Sequence, residues 1–86
     1  MKVKSDNVTY SEYKYLQTEL VLLPNISSHS DSIQINYYHD GFLPDFSLYI
    51  LFKVPINEIQ EIDGKHWFEK NRDTNYKWIE YKDGAN

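Results

Sequence analysis

The chain has 86 residues, no cysteine, and nine basic against thirteen acidic residues for a formal charge of −4. That length holds one domain with a modest core, since a domain of this size buries roughly 60% of the surface its unfolded chain exposes. The composition excludes disulfides and thiolate metal sites within the chain. No apolar run reaches the ~20 residues of a bilayer-spanning helix, and the absence of a basic run argues against nucleic acid as a partner.

Residues 1–9 are polar and are expected to be loosely ordered. They hold two lysines with no apolar stretch behind them, so they do not form a signal peptide. The chain fits the cytosol or the processed part of an exported protein. Tyr10, Tyr13, Leu16 or Gln17, and Leu20 follow helical spacing, with Ser11 as a candidate cap. Leu20-Val-Leu-Leu23 is instead a short apolar run ended by Pro24, and such a run favours a strand. The expectation is a short helix or irregular lead-in, then a strand over about 17–23. Residues 24–32 are loop chemistry, rich in serine and holding Asn25 and Asp31.

Ile33, Ile35 and Tyr37 alternate with Gln34, Asn36 and Tyr38, and Phe46, Leu48, Ile50, Phe52 and Val54 alternate with Ser47, Tyr49, Leu51 and Lys53. Successive strand side chains point to opposite faces, so each stretch predicts a strand with one face in a core. Between them Asp40-Gly41 opens a connection to Asp45, and Pro44 cannot continue a ladder. An antiparallel pairing that sets His39, Tyr37, Ile35 and Ile33 opposite Phe46, Leu48, Ile50 and Phe52 places both apolar sets on one face. A one-residue slip would put Asn36 and Gln34 in the core, so the register is selected.

After Pro55, Asn57 and Gln60 have capping-box spacing, Ile56, Ile59 and Ile62 share one helical face, and Gly64 supplies a stop. A short helix on the apolar sheet face is predicted there, with Glu58 and Glu61 facing solvent. Tyr76 and Trp78 alternate with Lys77 and Ile79 in a final strand, for which 66–70 is either a hairpin partner or a continuation of the helix. The fold expected is a single α+β domain over 1–86, a small, mainly antiparallel sheet with one short helix packed on its apolar face.

Three histidines, His29, His39 and His66, invite a metal reading with Asp31, Asp40 and Asp45, but they lack the spacing that converges ligands on one point. Ser27, Ser28, Ser30 and Ser32 crowd His29 without a nucleophile elbow or an oxyanion site. Glu58, Glu61 and Asp63 read as solubilising charges, and neither phosphate-binding glycine motif occurs. The triplets Asn7-Val-Thr9 and Asn25-Ile-Ser27 match the glycosylation pattern at about chance frequency. No catalytic residue, metal or cofactor is expected. The feature above background is 16% aromatic residues with eight tyrosines, a residue that pairs an apolar ring with a hydrogen-bonding tip and suits interfaces. Candidate binding residues are Asn36, Tyr38, Tyr49 and Leu51 on the outward face of the hairpin, with Trp67 and Trp78 in the C-terminal aromatic hairpin. AT-rich coding and ordinary cross-strand pairing account for the same tyrosines without function.

Leu23-Pro24, a polar turn, Ile33-x-Ile35, a connection through Asp45, the 46–54 strand, Pro55 and an amphipathic segment follow one another in an order that resembles small extracytoplasmic domains of uncharacterised bacterial lipoproteins and membrane-anchored proteins. The resemblance covers about residues 22–63 and carries no catalytic residue. The chain lacks the signal segment and lipid-attachment cysteine that the precursors of such proteins have. The resemblance implies an exported or envelope-associated domain that binds a protein or a glycan rather than transforming it. The alternative from another class is a small acidic inhibitor or immunity-type protein that blocks a basic partner, with association speeded by charge. Oligomeric state is open.

Overall fold

A computed structural model describes residues 2–39, 41 and 45–84. Five strands and one helix follow in the order β1 (Lys2–Val8), α1 (Tyr10–Glu19), β2 (Asp31–His39), β3 (Phe46–Pro55), β4 (Trp67–Arg72) and β5 (Tyr76–Gly84). They form one sheet in the order β1-β2-β3-β5-β4, with every neighbouring pair antiparallel. The α+β architecture with one short helix on the apolar face is therefore present. Along its shortest axis the backbone spans 17 Å, which accommodates two layers and no third.

The β2–β3 register is the one that the apolar alternation selects. Gln34, Ile35, Asn36, Tyr37, Tyr38 and His39 face Leu51, Ile50, Tyr49, Leu48, Ser47 and Phe46. The pairing slips between Asp31 and Gln34, where Ser32 takes a left-handed φ of 52°. This bulge absorbs one residue, so the expected Ile33–Phe52 opposition is replaced by Asp31 opposite Lys53. Ile33, Ile35, Leu48, Ile50, Phe52, Val54 and Ile79 are buried on the core side together with Tyr13, Leu23 and Tyr37. Gly84 meets this sheet where nothing larger fits: a Cβ there would lie 2.0 Å from the Phe46 carbonyl oxygen.

Three expectations need correction. The 1–9 segment is not loose: 2–8 is an edge strand, held by pairing to β2 and by Val3 facing inward beside the core. The 17–23 strand does not exist. Thr9, not Ser11, caps a helix that runs to Glu19, because its hydroxyl accepts from the Glu12 amide while the Glu12 carboxylate accepts from the Thr9 amide. Leu20, Leu22 and Ile26 then pack against the core from irregular backbone. The helix after Pro55 is absent too. The Glu58 amide bonds the Pro55 carbonyl in a single turn, and Ile59 is 96% exposed. Seven residues with two exposed isoleucines, Ile59 and Ile62, on the supposed core stripe cannot meet the nucleation cost of a helix. The segment 66–70 belongs to the C-terminal hairpin rather than to any helix. Of the 40–45 connection only Gly41 and Asp45 are described, and Asp40 and Pro44 lie outside the described residues.

Candidate functional site

Register decides which side chains share the face turned away from α1. Across the sheet, Lys2 aligns with Tyr38, Ser47 and Gly84, and the next row is Lys4, Asn36, Tyr49 and Lys82. Gln34, Leu51, Glu80 and Phe68 form the third row, followed by Lys53, Trp78 and Asn71, with Tyr76 opposite Pro55 at the end. The helix, the 20–26 segment and Trp67 all pack on the other side, against the core. On this open face Lys2, Lys4, Asn36, Tyr38, Lys70, Asn71, Tyr76 and Lys82 are exposed.

Asn36, Tyr38, Tyr49, Leu51 and Trp78 therefore share one surface, as the alternation of β2, β3 and β5 requires. Trp67 does not join them. Its ring lies edge-on to Phe52 at 6.3 Å and to Tyr81 at 4.7 Å, so it closes the core beneath the C-terminal hairpin. Leu51, at 9% exposure, forms the floor of the face rather than a contact point. Tyr49 is tied down, since its hydroxyl donates to the Glu80 carboxylate at 2.5 Å. Burial, aided by that hydrogen bond and the Glu80 charge, holds the phenol above the ordinary tyrosine range. Tyr38, between Lys2 and Ser47 in the sheet, is 54% exposed.

The lysines are the part that local sequence reading misses. Five of the nine basic residues, Lys2, Lys4, Lys53, Lys70 and Lys82, border or stand on this face. The carboxylates near them include Glu80, already engaged by Tyr49, Asp31, which opposes Lys53 beside the β2 bulge, and Asp73 in the β4–β5 turn, within electrostatic reach of Lys53. Lys53 Nζ sits 4.5 Å from the Tyr76 ring centre and 5.9 Å from that of Trp78, and Lys82 Nζ sits 5.2 Å from Phe68. Ring quadrupoles thus hold two ammonium groups over the sheet. Two shallow depressions result. One of about 110 Å³ is bordered by Lys2, Asn36, Tyr38, Ser47 and Tyr49, and one of about 200 Å³ by Gln34, Leu51, Lys70, Asn71 and Trp78.

A larger groove, about 590 Å³, runs between β1 and α1 past Asp6, Val8, Glu12, Tyr15 and Leu16. The β1 edge beside it is broken by a bulge between Ser5 and Val8, with Asn7 in left-handed backbone at φ 53°. An irregular, lysine-bearing edge is the usual protection against strand addition. Its size notwithstanding, the groove offers no regular ladder to an extended peptide.

The serine loop contains hydroxyl, imidazole and carboxylate together, but in an order unsuited to catalysis. Ser27 Oγ donates to Glu58 at 2.5 Å, and His29 Nδ1 lies 3.4 Å from the other Glu58 oxygen. The carboxylate thus stands between hydroxyl and imidazole, whereas an activated serine needs the imidazole on its own proton. The Ser27 hydrogen bond, with His29 and Lys77 nearby, lowers the Glu58 pKa from its ordinary value. The cluster clips the 56–62 segment to the loop before β2. His66 pairs with Asp83 at 3.6 Å, far along the chain from His29. Among the described residues no group of three or more histidines and carboxylates converges to hold a metal, and Asp40 lies outside them. Among the described residues no helix is long and apolar enough to cross a membrane.

Comparison of the chain with protein-family models, curated proteins and solved structures gives no match. The geometry of the open face carries the functional reading by itself.

Proposed function

We propose that this chain is a non-catalytic binding domain whose working surface is the open face of its sheet. The observation that supports this is the convergence of Asn36, Tyr38 and Trp78 with lysines from four strands on a face over which no described element packs. Small domains cover sheet faces or make them polar. Here the face instead mixes half-exposed rings, amides and ammonium groups, the composition of recognition surfaces. The rival reading, an acidic domain that blocks a basic partner, would use the helix side, where Glu12, Glu19 and Glu61 are exposed.

Arrays of glycans and peptides probed with the intact chain test this. Tyr38→Ala and Asn36→Ala are expected to abolish specific binding, while Glu19→Ala and Glu61→Ala leave it unchanged. Binding that survives the first pair and is lost with the second would overturn the open-face reading in favour of the acidic side.

A further inference from the structure

We propose that the ligand of the open face is a carboxylate-bearing oligosaccharide, a deepening that rests on the binding reading above. Charge sets the sign. The molecule carries −4 overall, yet this face gathers Lys2, Lys4, Lys53, Lys70 and Lys82, with Glu80 committed to Tyr49 and with Asp31 and Asp73 beside Lys53, away from Lys4 and Lys82. Such segregation attracts an anionic partner and repels a second copy presenting the same face.

Spacing and covering argue for a sparse polyanion rather than a dense one. Lys4 and Lys82 lie in one row, three strand spacings or about 14 Å apart. A nucleic acid presents a phosphate at every unit and needs matching neutralisation, and the acidic remainder of this chain opposes it. A run of bases stacks on successive open rings, whereas here Lys53 sits over Tyr76 and Trp78 and Lys82 over Phe68, so few ring faces are left for successive bases. Between the two ammonium groups lie Asn36 and, one row away, Tyr38. An amide offers both donor and acceptor to sugar hydroxyls, and the exposed Tyr38 ring offers an apolar flat for sugar C–H groups. Lys4 and Lys82 then pair with carboxylates on separated sugar units.

The test is amide-shift mapping of the full chain with three probes: oligogalacturonate, its methyl ester, and a thymidine oligonucleotide of similar length. Oligogalacturonate alone is expected to shift the amides around Lys4, Asn36, Tyr38 and Lys82. Lys4→Gln with Lys82→Gln should weaken it about tenfold, and the wild-type affinity should fall as salt shortens the screening length. Equal shifts from the methyl ester, or shifts from the oligonucleotide alone, would overturn the ligand class while leaving the open face as the working surface. Shifts confined to the helix side would overturn both readings. No shift at millimolar oligogalacturonate would overturn this inference, and the array experiment would then decide the face independently.

Discussion

Asp63 stands where the irregular segment turns into β4, and one of its carboxylate oxygens accepts the backbone amides of Lys65, His66 and Trp67 at 2.8, 2.8 and 3.0 Å. These three hydrogen bonds, from Trp67, His66 and Lys65, lower its pKa to about 2. A carboxylate whose folded pKa is depressed contributes stability that is complete above its unfolded value and disappears as pH falls through the folded one. Asp63→Ala should therefore lower the unfolding midpoint most above about pH 4, with the gap to wild type closing toward pH 2. Urea titrations at several pH values check this, and a gap independent of pH would contradict the charge-assisted role. Ser30 makes the opposite case. Its hydroxyl is buried, and among the described residues it has no hydrogen-bond partner. A hydroxyl removed from water without compensation costs stability, so Ser30→Ala should raise unfolding free energy by about 1 kcal/mol. A fall of similar size would mean that a bridging water satisfies it.

At the level of elements, the β2–β3 hairpin was legible because five apolar residues at strict period two leave one register that keeps them together. The helix was harder to place, and for a physical reason. Residues 10–19 bury only Tyr13 completely, so they show a weak apolar stripe, while the reciprocal Thr9–Glu12 cap, a local signal open to inspection, fixes the start. The isoleucines at 56, 59 and 62 have the periodicity without the partners: Ile59 and Ile62 are exposed, and the segment is pinned instead through Glu58 to Ser27. Thr9→Ala should accordingly destabilise the chain by about 1 kcal/mol. Ile59→Lys should change stability by less than about 0.5 kcal/mol, as for other exposed positions. Thermal unfolding of both variants distinguishes the two placements, since a buried amphipathic helix at 56–62 would make Ile59→Lys the more damaging.

For the whole molecule, the instructive contrast is between residues that share a face and residues that are neighbours in sequence. Asn36, Tyr38, Tyr49 and Leu51 follow from the alternation of a single hairpin, so that half of the candidate site was readable. Lys2, Lys4, Lys70 and Lys82 come from both ends of the chain. Only the strand order β1-β2-β3-β5-β4 assembles them, and nothing in a local window announces a long-range strand order. Trp67 lies in the C-terminal hairpin, as its aromatic surroundings suggest, but which face it takes was unreadable for the same reason: only the β4–β5 pairing sends it to the core side opposite Tyr81.

Since the chain has no cysteine of its own, single cysteines report the two faces without background. Lys4→Cys, Asn36→Cys and Lys82→Cys should react with a thiol reagent in the native state at rates close to those of an unfolded peptide, while Ile35→Cys should react only as fast as the protein unfolds. Protection of Asn36→Cys and Lys82→Cys comparable to that of Ile35→Cys would mean that the face is covered, and it would contradict the account.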